Sequence, residues 1–192
     1  MRMSESDEVP SLAQPRRRDR AVNDEAWLRD FLTHAAHGTL ATVRDGQPFV
    51  NMNLFVYDAA KHVIYLHTAR AGRTRANVEA EERVCFAVST MGRLLPAPVA
   101  LEFSVEYTGV TVFGRAAVVE DEAEARDALQ LLLDKYFLHL RPGRDYRPIT
   151  PEELASTTVY RVRIDQWAGK RKEVAADFPG AFPYGQIPPF PG

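Results

Sequence analysis

The chain has 192 residues, with 24 Lys and Arg against 26 Asp and Glu and a net charge of −2, so its charge implies neither a nucleic-acid nor a membrane partner. That length suits one domain with extra segments at its ends and is enough to bury a real core. Cys85 is the only cysteine, which excludes an intramolecular disulfide and points to a reducing, cytoplasmic setting; no run approaches the roughly 20 apolar residues of a membrane span, and the N-terminus lacks the apolar stretch of a secretory signal.

Residues 1–22 are polar, charged and Pro-containing, and read as a flexible arm because they cannot bury enough surface to offset ordering entropy. A helix starts near Asn23 or Asp24, puts Trp27, Leu28, Phe31, Leu32 and Ala35 on one face, and stops at Gly38. Thr39–Val43 alternates as a strand, Asp45-Gly46 signals a hairpin, and Phe49–Tyr57 is the returning strand. A turn at Asp58–Lys61 leads into a third strand, Val63–Leu66, completing a meander. Arg83–Met91 is a fourth strand and Gly92–Pro98 a loop. Glu102–Val119 is too long for one straight strand in a domain of this size, at about 3.3 Å per residue, and its apolar positions change parity past Gly109, so a bend is expected at Gly109, with Gly114 a second candidate. Asp121–Leu140 reads as a capped helix with Leu129, Leu132, Leu133, Tyr136, Phe137 and Leu140 on one face. Thr150-Pro151-Glu152-Glu153 opens a short helix, and Val159–Trp167 is the last strand. The result is a mainly β domain over residues 23–170 with peripheral helices, followed by an extended Pro-rich tail over 171–192.

The chemistry concentrates between Val63 and Val78. A strand, a turn at Gly72 and a helix start together make an anion site, because the first helical N–H groups lack intrahelical acceptors and the helix dipole favours negative charge there. Arg70, Arg73 and Arg75 add charge around the turn, and His67 and Thr68 stand where the strand ends. The plain alternative is a set of solvated arginines and a strand histidine bonded to backbone. His34 and His37 have no further ligand at metal spacing, so no metal site is expected. Cys85, between apolar strand neighbours, reads as an inert buried thiol. Neither a Gly-x-Ser-x-Gly elbow nor a Gly-x-Gly-x-x-Gly fingerprint occurs.

The order of several motifs resembles a known family. These are the amphipathic first helix, Gly38-Thr39-Leu40-Ala41-Thr42-Val43, Pro48-Phe49-Val50, Ile64 to Ala69 followed by Gly72-Arg73, Val84-Cys85-Phe86, Tyr107 with Val110 and Phe113-Gly114-Arg115, and Trp167-Ala168-Gly169-Lys170. Over about residues 24–170 the chain resembles the split-barrel flavoproteins related to pyridoxamine 5′-phosphate oxidase, and more narrowly their Nim-type branch, named for nitroimidazole resistance. The resemblance implies a six-stranded FMN-binding split β-barrel and a homodimer with two FMN sites at the subunit interface. It implies that Val50, Asn51, Met52 and Asn53 run beside the flavin ring. Thr68, Gly72, Arg73, Thr74 and Arg75 would lie at the phosphate end, with Tyr107 and Thr108 completing the site. His67 matches the branch's active-site histidine. The chain departs from the pattern at Met52, where relatives often carry Pro, at Thr74, where a Lys often follows the Gly-Arg pair, and at Thr108-Gly109, where relatives read Arg-Ser.

The resulting expectation is an FMN-dependent oxidoreductase acting on a small planar substrate, nitroaromatic or pyridoxal-like, with His67 orienting it or donating a proton. The rival expectation is a non-catalytic flavin or haem binding protein on the same barrel. Nucleic-acid binding through Arg16, Arg17, Arg18 and Arg20 is the weakest of the three readings, given the acidic net charge.

Overall fold

The structure is a computed structural model that describes residues 11–186. In chain order its first half holds β1 (Ala21–Val22), α1 (Glu25–His34), β2 (Gly38–Arg44), β3 (Gln47–Asn53), β4 (Phe55–Asp58), β5 (Val63–Ala69) and α2 (Arg73–Ala80). The second half holds β6 (Arg83–Leu95), β7 (Ser104–Val118), α3 (Glu122–Tyr136), α4 (Pro151–Ser156), β8 (Thr157–Lys172) and β9 (Phe182–Pro183). Among the described residues, no helix is long and apolar enough to cross a membrane.

The strands form one antiparallel sheet in the order β3-β2-β6-β7-β8-β5-β4, with β1 added to β8 and β9 to β6. The two ends of that path are halves of a single segment. Gln47–Asn53 pairs with β2 and Phe55–Asp58 pairs with β5, with only Leu54 between them. This is a split barrel. Among the described residues the sheet has nine strands rather than the expected six, because the returning strand breaks at Leu54 and two short segments add to the edges. The break is held from outside the sheet: the Tyr136 hydroxyl accepts the Phe55 N–H at 3.1 Å and lies within hydrogen-bonding reach of the Phe55 and Ala36 carbonyls.

Two cores follow from the two faces of β4 and β5. Phe55, Tyr57, Ile64 and Leu66 join Leu40, Phe86, Val112, Tyr160 and Val162 inside the barrel, where Leu28 and Leu32 of α1 close it. Val56, Val63 and Tyr65 point the other way, onto Ala125, Ala128 and Leu132 of α3. Asp24 caps α1 by accepting the Ala26 and Trp27 N–H groups. Asp45 and Gly46 carry the positive φ angles, 51° and 75°, that a tight hairpin needs.

Several expectations are corrected. Gly38 is not a helix stop; it opens β2, where an added Cβ would lie 2.2 Å from Phe86 Cζ. β6 runs through Gly92 to Leu95, so the loop begins later than expected. β7 passes Gly109 without a register shift, and the irregularity falls at Gly114, where the partners jump from Gln166 to Ile164. An added Cβ at Gly114 would sit 2.1 Å from the Arg163 carbonyl oxygen, so only glycine permits that approach. α3 ends at Tyr136, short of Leu140, as Phe137 leaves helical backbone geometry. At the chain's ends, Ala21 and Val22 pair with Lys170 and Gly169. Arg93 holds Glu106 and the carbonyls of Val174, Ala175 and Ala176 while β9 pairs beside it.

Candidate functional site

α2 begins without a side-chain cap. Its N-cap is Gly72, at φ 152°, with nothing within 4 Å of where a Cβ would project. The N–H groups of Arg73, Thr74 and Arg75 therefore start the helix as free donors at its positive end. They border a cavity of about 410 Å³ between α2 and the β2–β3 hairpin, lined by Gly72, Arg73, Ala76 and Asn77 on one side and Arg44, Asp45, Gln47 and Phe49 on the other. The Arg73 guanidinium lies over the Phe49 ring, 5.5 Å from its centroid, which fixes a charge at the cavity edge while leaving its N–H groups available. Arg75 behaves differently. It is bound to Glu79 at 2.7 Å and reaches the Arg70 carbonyl and Thr158 at 3.3 Å each, so its side chain ties α2 to β8. Arg70 is likewise held by the Ala155 carbonyl at 2.7 Å.

β3 reaches the same turn. Asn51 and Asn53 share one face, where Asn51 Nδ2 donates to Thr74 Oγ1 and to Asn53 Oδ1, each at 3.3 Å, and Asn53 donates to the Asn51 carbonyl. Thr74 is buried and Asn77 beneath it donates to Thr42 at 2.9 Å, so the helix start is locked to β2 and β3. Val50 and Met52 occupy the opposite face and are 62% and 69% exposed. Thr68 bonds the Tyr160 hydroxyl at 3.0 Å.

His67 pairs in register with Val159 and opens onto a second cavity, of about 360 Å³. Its walls are Leu54, Leu129, Leu132, Leu133, Tyr136, Phe137, Tyr146 and Ile149, with Arg147, Glu153 and Thr157 at the edge. Solvent reaches the imidazole from one side, but the cavity wall crowds the rest, and that burial lowers its pKa below the ordinary 6.5.

Asn51, Asn53, His67, Thr68, Gly72, Arg73 and Thr74 thus sit on adjoining strand ends and one helix start. Tyr107 and Thr108 do not join them within one chain. Tyr107 pairs with Met91 and Lys172, its hydroxyl accepts from Arg20 at 3.2 Å, and both residues line a separate cavity beside Leu12–Arg16.

The family pattern described as pyridoxamine 5′-phosphate oxidase matches residues 24–171. The chain belongs to that family. Among solved structures it is similar to the FAD and heme binding protein of Mycobacterium smegmatis, at 26% identity and TM-score 0.71 over 81% of this chain and 74% of that one. It shares its fold with a flavocytochrome of Azotobacter vinelandii, at 24% identity and TM-score 0.73 over 98% and 89% of the two chains. A candidate 5-nitroimidazole antibiotic resistance protein of Bacteroides thetaiotaomicron has the same fold at 20% identity and TM-score 0.65, over 80% of this chain and 90% of that one. No curated protein matches the sequence.

Within this pyridoxamine 5′-phosphate oxidase-related barrel, two groups of cavity residues escaped sequence reasoning. Arg44 and Phe49 reach the turn only because the hairpin folds back on α2. Leu129, Leu133 and Phe137 read as core positions, yet they wall the cavity at His67. A local signal existed for Arg75: Glu79 stands four residues on, the spacing at which a helical ion pair forms.

Proposed function

We propose that the protein is an FMN-dependent oxidoreductase that works as a homodimer on a small planar substrate. The observation that carries this reading is the uncapped start of α2, which opens between Arg73 and Arg44 onto a cavity. Unpaired amides, a helix dipole and a guanidinium suit a phosphate ester, so the residues present fit the phosphate end of a flavin. Gly72, Arg73 and Thr74 would hold that end, and the strand from Val50 to Asn53 would run beside the ring. Bound flavin supplies hydride and electron transfer; the protein supplies binding, orientation and access. Asn51 and Asn53, tied to each other and to Thr74, present fixed amides on one face of the strand. His67 is neutral at physiological pH and can take a proton on its free imidazole nitrogen or orient a substrate by hydrogen bonding. A second copy would cover Val50 and Met52, exposed in the single chain, and would bring its own Tyr107 and Thr108 to the site.

The test is the visible spectrum and released-ligand mass of the purified protein, followed by flavin titration of Arg73→Ala. The expected result is bound FMN whose affinity falls at least tenfold in the variant. Unchanged affinity sinks the phosphate assignment, and released FAD replaces the mononucleotide by the dinucleotide at the same turn. Oxidation of a reduced nicotinamide with an added acceptor then separates an enzyme from a carrier.

A second reading is favoured by one observation. A neutral imidazole facing an apolar cavity is what a haem iron requires, and the similar M. smegmatis protein is named for binding heme as well as FAD. In that reading His67 ligates the iron, and the purified protein shows a Soret band that His67→Ala abolishes.

A further inference from the structure

The cavity at the α2 start and the cavity at His67 share no lining residue and differ in chemistry. Around the α2 start, amides and the Arg73 guanidinium stand ready for an anion. The cavity at His67 offers an anion nothing comparable. Among the described residues, the cations near it are either paired or enclosed. Arg147 pairs with Glu153 at 2.9 Å and Arg126 donates to the Ile149 carbonyl. Lys135 Nζ has no hydrogen-bond partner but is enclosed, 3.9 Å from the Phe55 ring centroid and 5.3 Å from that of Tyr136, and does not line the cavity. Tyr146 at the rim accepts from Gln130 at 2.8 Å. What remains on the wall is aliphatic and aromatic: Leu54, Leu129, Leu132, Leu133 and Phe137.

We infer that this cavity seats an uncharged, mainly apolar molecule of one or two rings, with His67 as its principal polar contact, and that it rejects phosphorylated ligands of the pyridoxal type. The placement of this ligand as the substrate rests on the flavin reading above; the binding itself does not. A volume of about 360 Å³ lies at the lower end of ligand-sized cavities, which suits a compact ring system better than a haem macrocycle. An apolar wall favours such a molecule by removing its surface from water. A phosphate there loses its hydration and finds only the Glu153 carboxylate and paired guanidinium at the edge. A neutral imidazole can donate to a carbonyl, nitro or ether oxygen, or accept from a hydroxyl, without a net charge on either partner.

The experiment uses the full chain as purified and the uncharged naphthalene dye Prodan, whose emission shifts to the blue on leaving water. Saturable, blue-shifted binding of one dye per chain is expected, undisturbed by pyridoxal 5′-phosphate at tenfold excess. Leu133→Arg places a charge on the cavity wall and lowers Prodan affinity at least tenfold. Phe137→Ala, at a residue already 45% exposed, lowers it several-fold with an unchanged melting curve. Absence of dye binding, binding indifferent to both variants, displacement by pyridoxal 5′-phosphate, or a Soret band overturns the inference. Flavin content, read separately by absorbance, keeps the two ideas apart. Dye binding without flavin leaves the cavity assignment standing and removes the oxidoreductase. Flavin without dye binding does the reverse.

Discussion

Lys135 offers the sharpest quantitative test of the packing. It lies on α3 with its ammonium enclosed, and among the described residues no hydrogen-bond partner meets Nζ. Burial pushes its pKa down from 10.5 to about 8, which at about 1.4 kcal/mol per tenfold is at most about 3 kcal/mol, because solvent screens the part of the side chain that is not enclosed. The Phe55 ring face, 3.9 Å away, returns about 1–2 kcal/mol by cation–π attraction. The net cost of keeping the charge there at pH 7 is therefore about 1–2 kcal/mol. Lys135→Met keeps length and helix propensity and removes the charge, so the variant is expected to be more stable than the native chain by that amount.

The sign of the pH dependence follows from the direction of the shift. Below pH 8 both folded and unfolded chains carry the proton, and the folded one bears the full penalty. In the window that opens above pH 8 and closes at 10.5, the unfolded state still holds a proton that the folded state releases, so native stability rises with pH. The advantage of Lys135→Met is thus complete at pH 7, shrinks through that window and is gone above it. Urea unfolding of both chains at pH 7 and at pH 10.5 measures this, with an expected midpoint difference at pH 7 of about 0.5–1 M. A variant less stable than the native chain at pH 7, or a gain that ignores pH, would refute the reasoning.

Four further outcomes are expected. Tyr136→Phe removes the hydroxyl that bridges Phe55 and Ala36, leaves a backbone N–H at the Leu54 break unpaired, and costs about 1–3 kcal/mol in urea unfolding. Gly114→Ala forces a Cβ against the Arg163 carbonyl and lowers the melting temperature by several degrees, in line with overpacking costs of about 1–3 kcal/mol. Because burial lowers the His67 pKa, any activity that needs its neutral imidazole stays level from pH 8 to pH 7 and declines only below the ordinary 6.5. His67→Gln lowers that activity and flattens the acid limb. Thr150→Ala breaks the capping box with Glu153 that opens α4, costs about 1 kcal/mol, and leaves flavin content unchanged.

What the sequence revealed and what it hid divide along the range of the forces involved. The Asp45-Gly46 hairpin, the Asp24 and Thr150 caps and the helix start after Gly72 are local features, each decided within about four residues, and all are present. The break at Leu54 was not legible. Phe55, Val56 and Tyr57 are all buried, which happens only because the barrel core takes one face of β4 and α3 takes the other. Until α3 is placed, the segment reads as one continuous strand. The same distance separates the two bends considered in the long strand. The sequence pattern favours Gly109, where the apolar positions change parity, and only the extra residue in β8 opposite Phe113–Gly114 puts the shift at Gly114 instead.

The candidate site combines both kinds of information. Its anion-ready turn is local, and so it was visible as a strand, a glycine and a helix carrying arginines. The selection among those arginines is tertiary: Arg75 and Arg70 are taken by Glu79, Thr158 and the Ala155 carbonyl, which leaves Arg73. The apolar cavity is tertiary as well, since α3 lies about sixty residues beyond His67 in the chain and meets it across β4 and β5. A phosphate end fixed by backbone geometry and a neighbouring cavity fixed by side chains of a distant helix can vary independently. Substitutions on α3 can therefore retune what sits beside His67 without disturbing the turn at Gly72. By the same argument Leu133→Arg should change ligand preference while leaving flavin affinity within about twofold, and a parallel loss of flavin would mean that the two cavities are one.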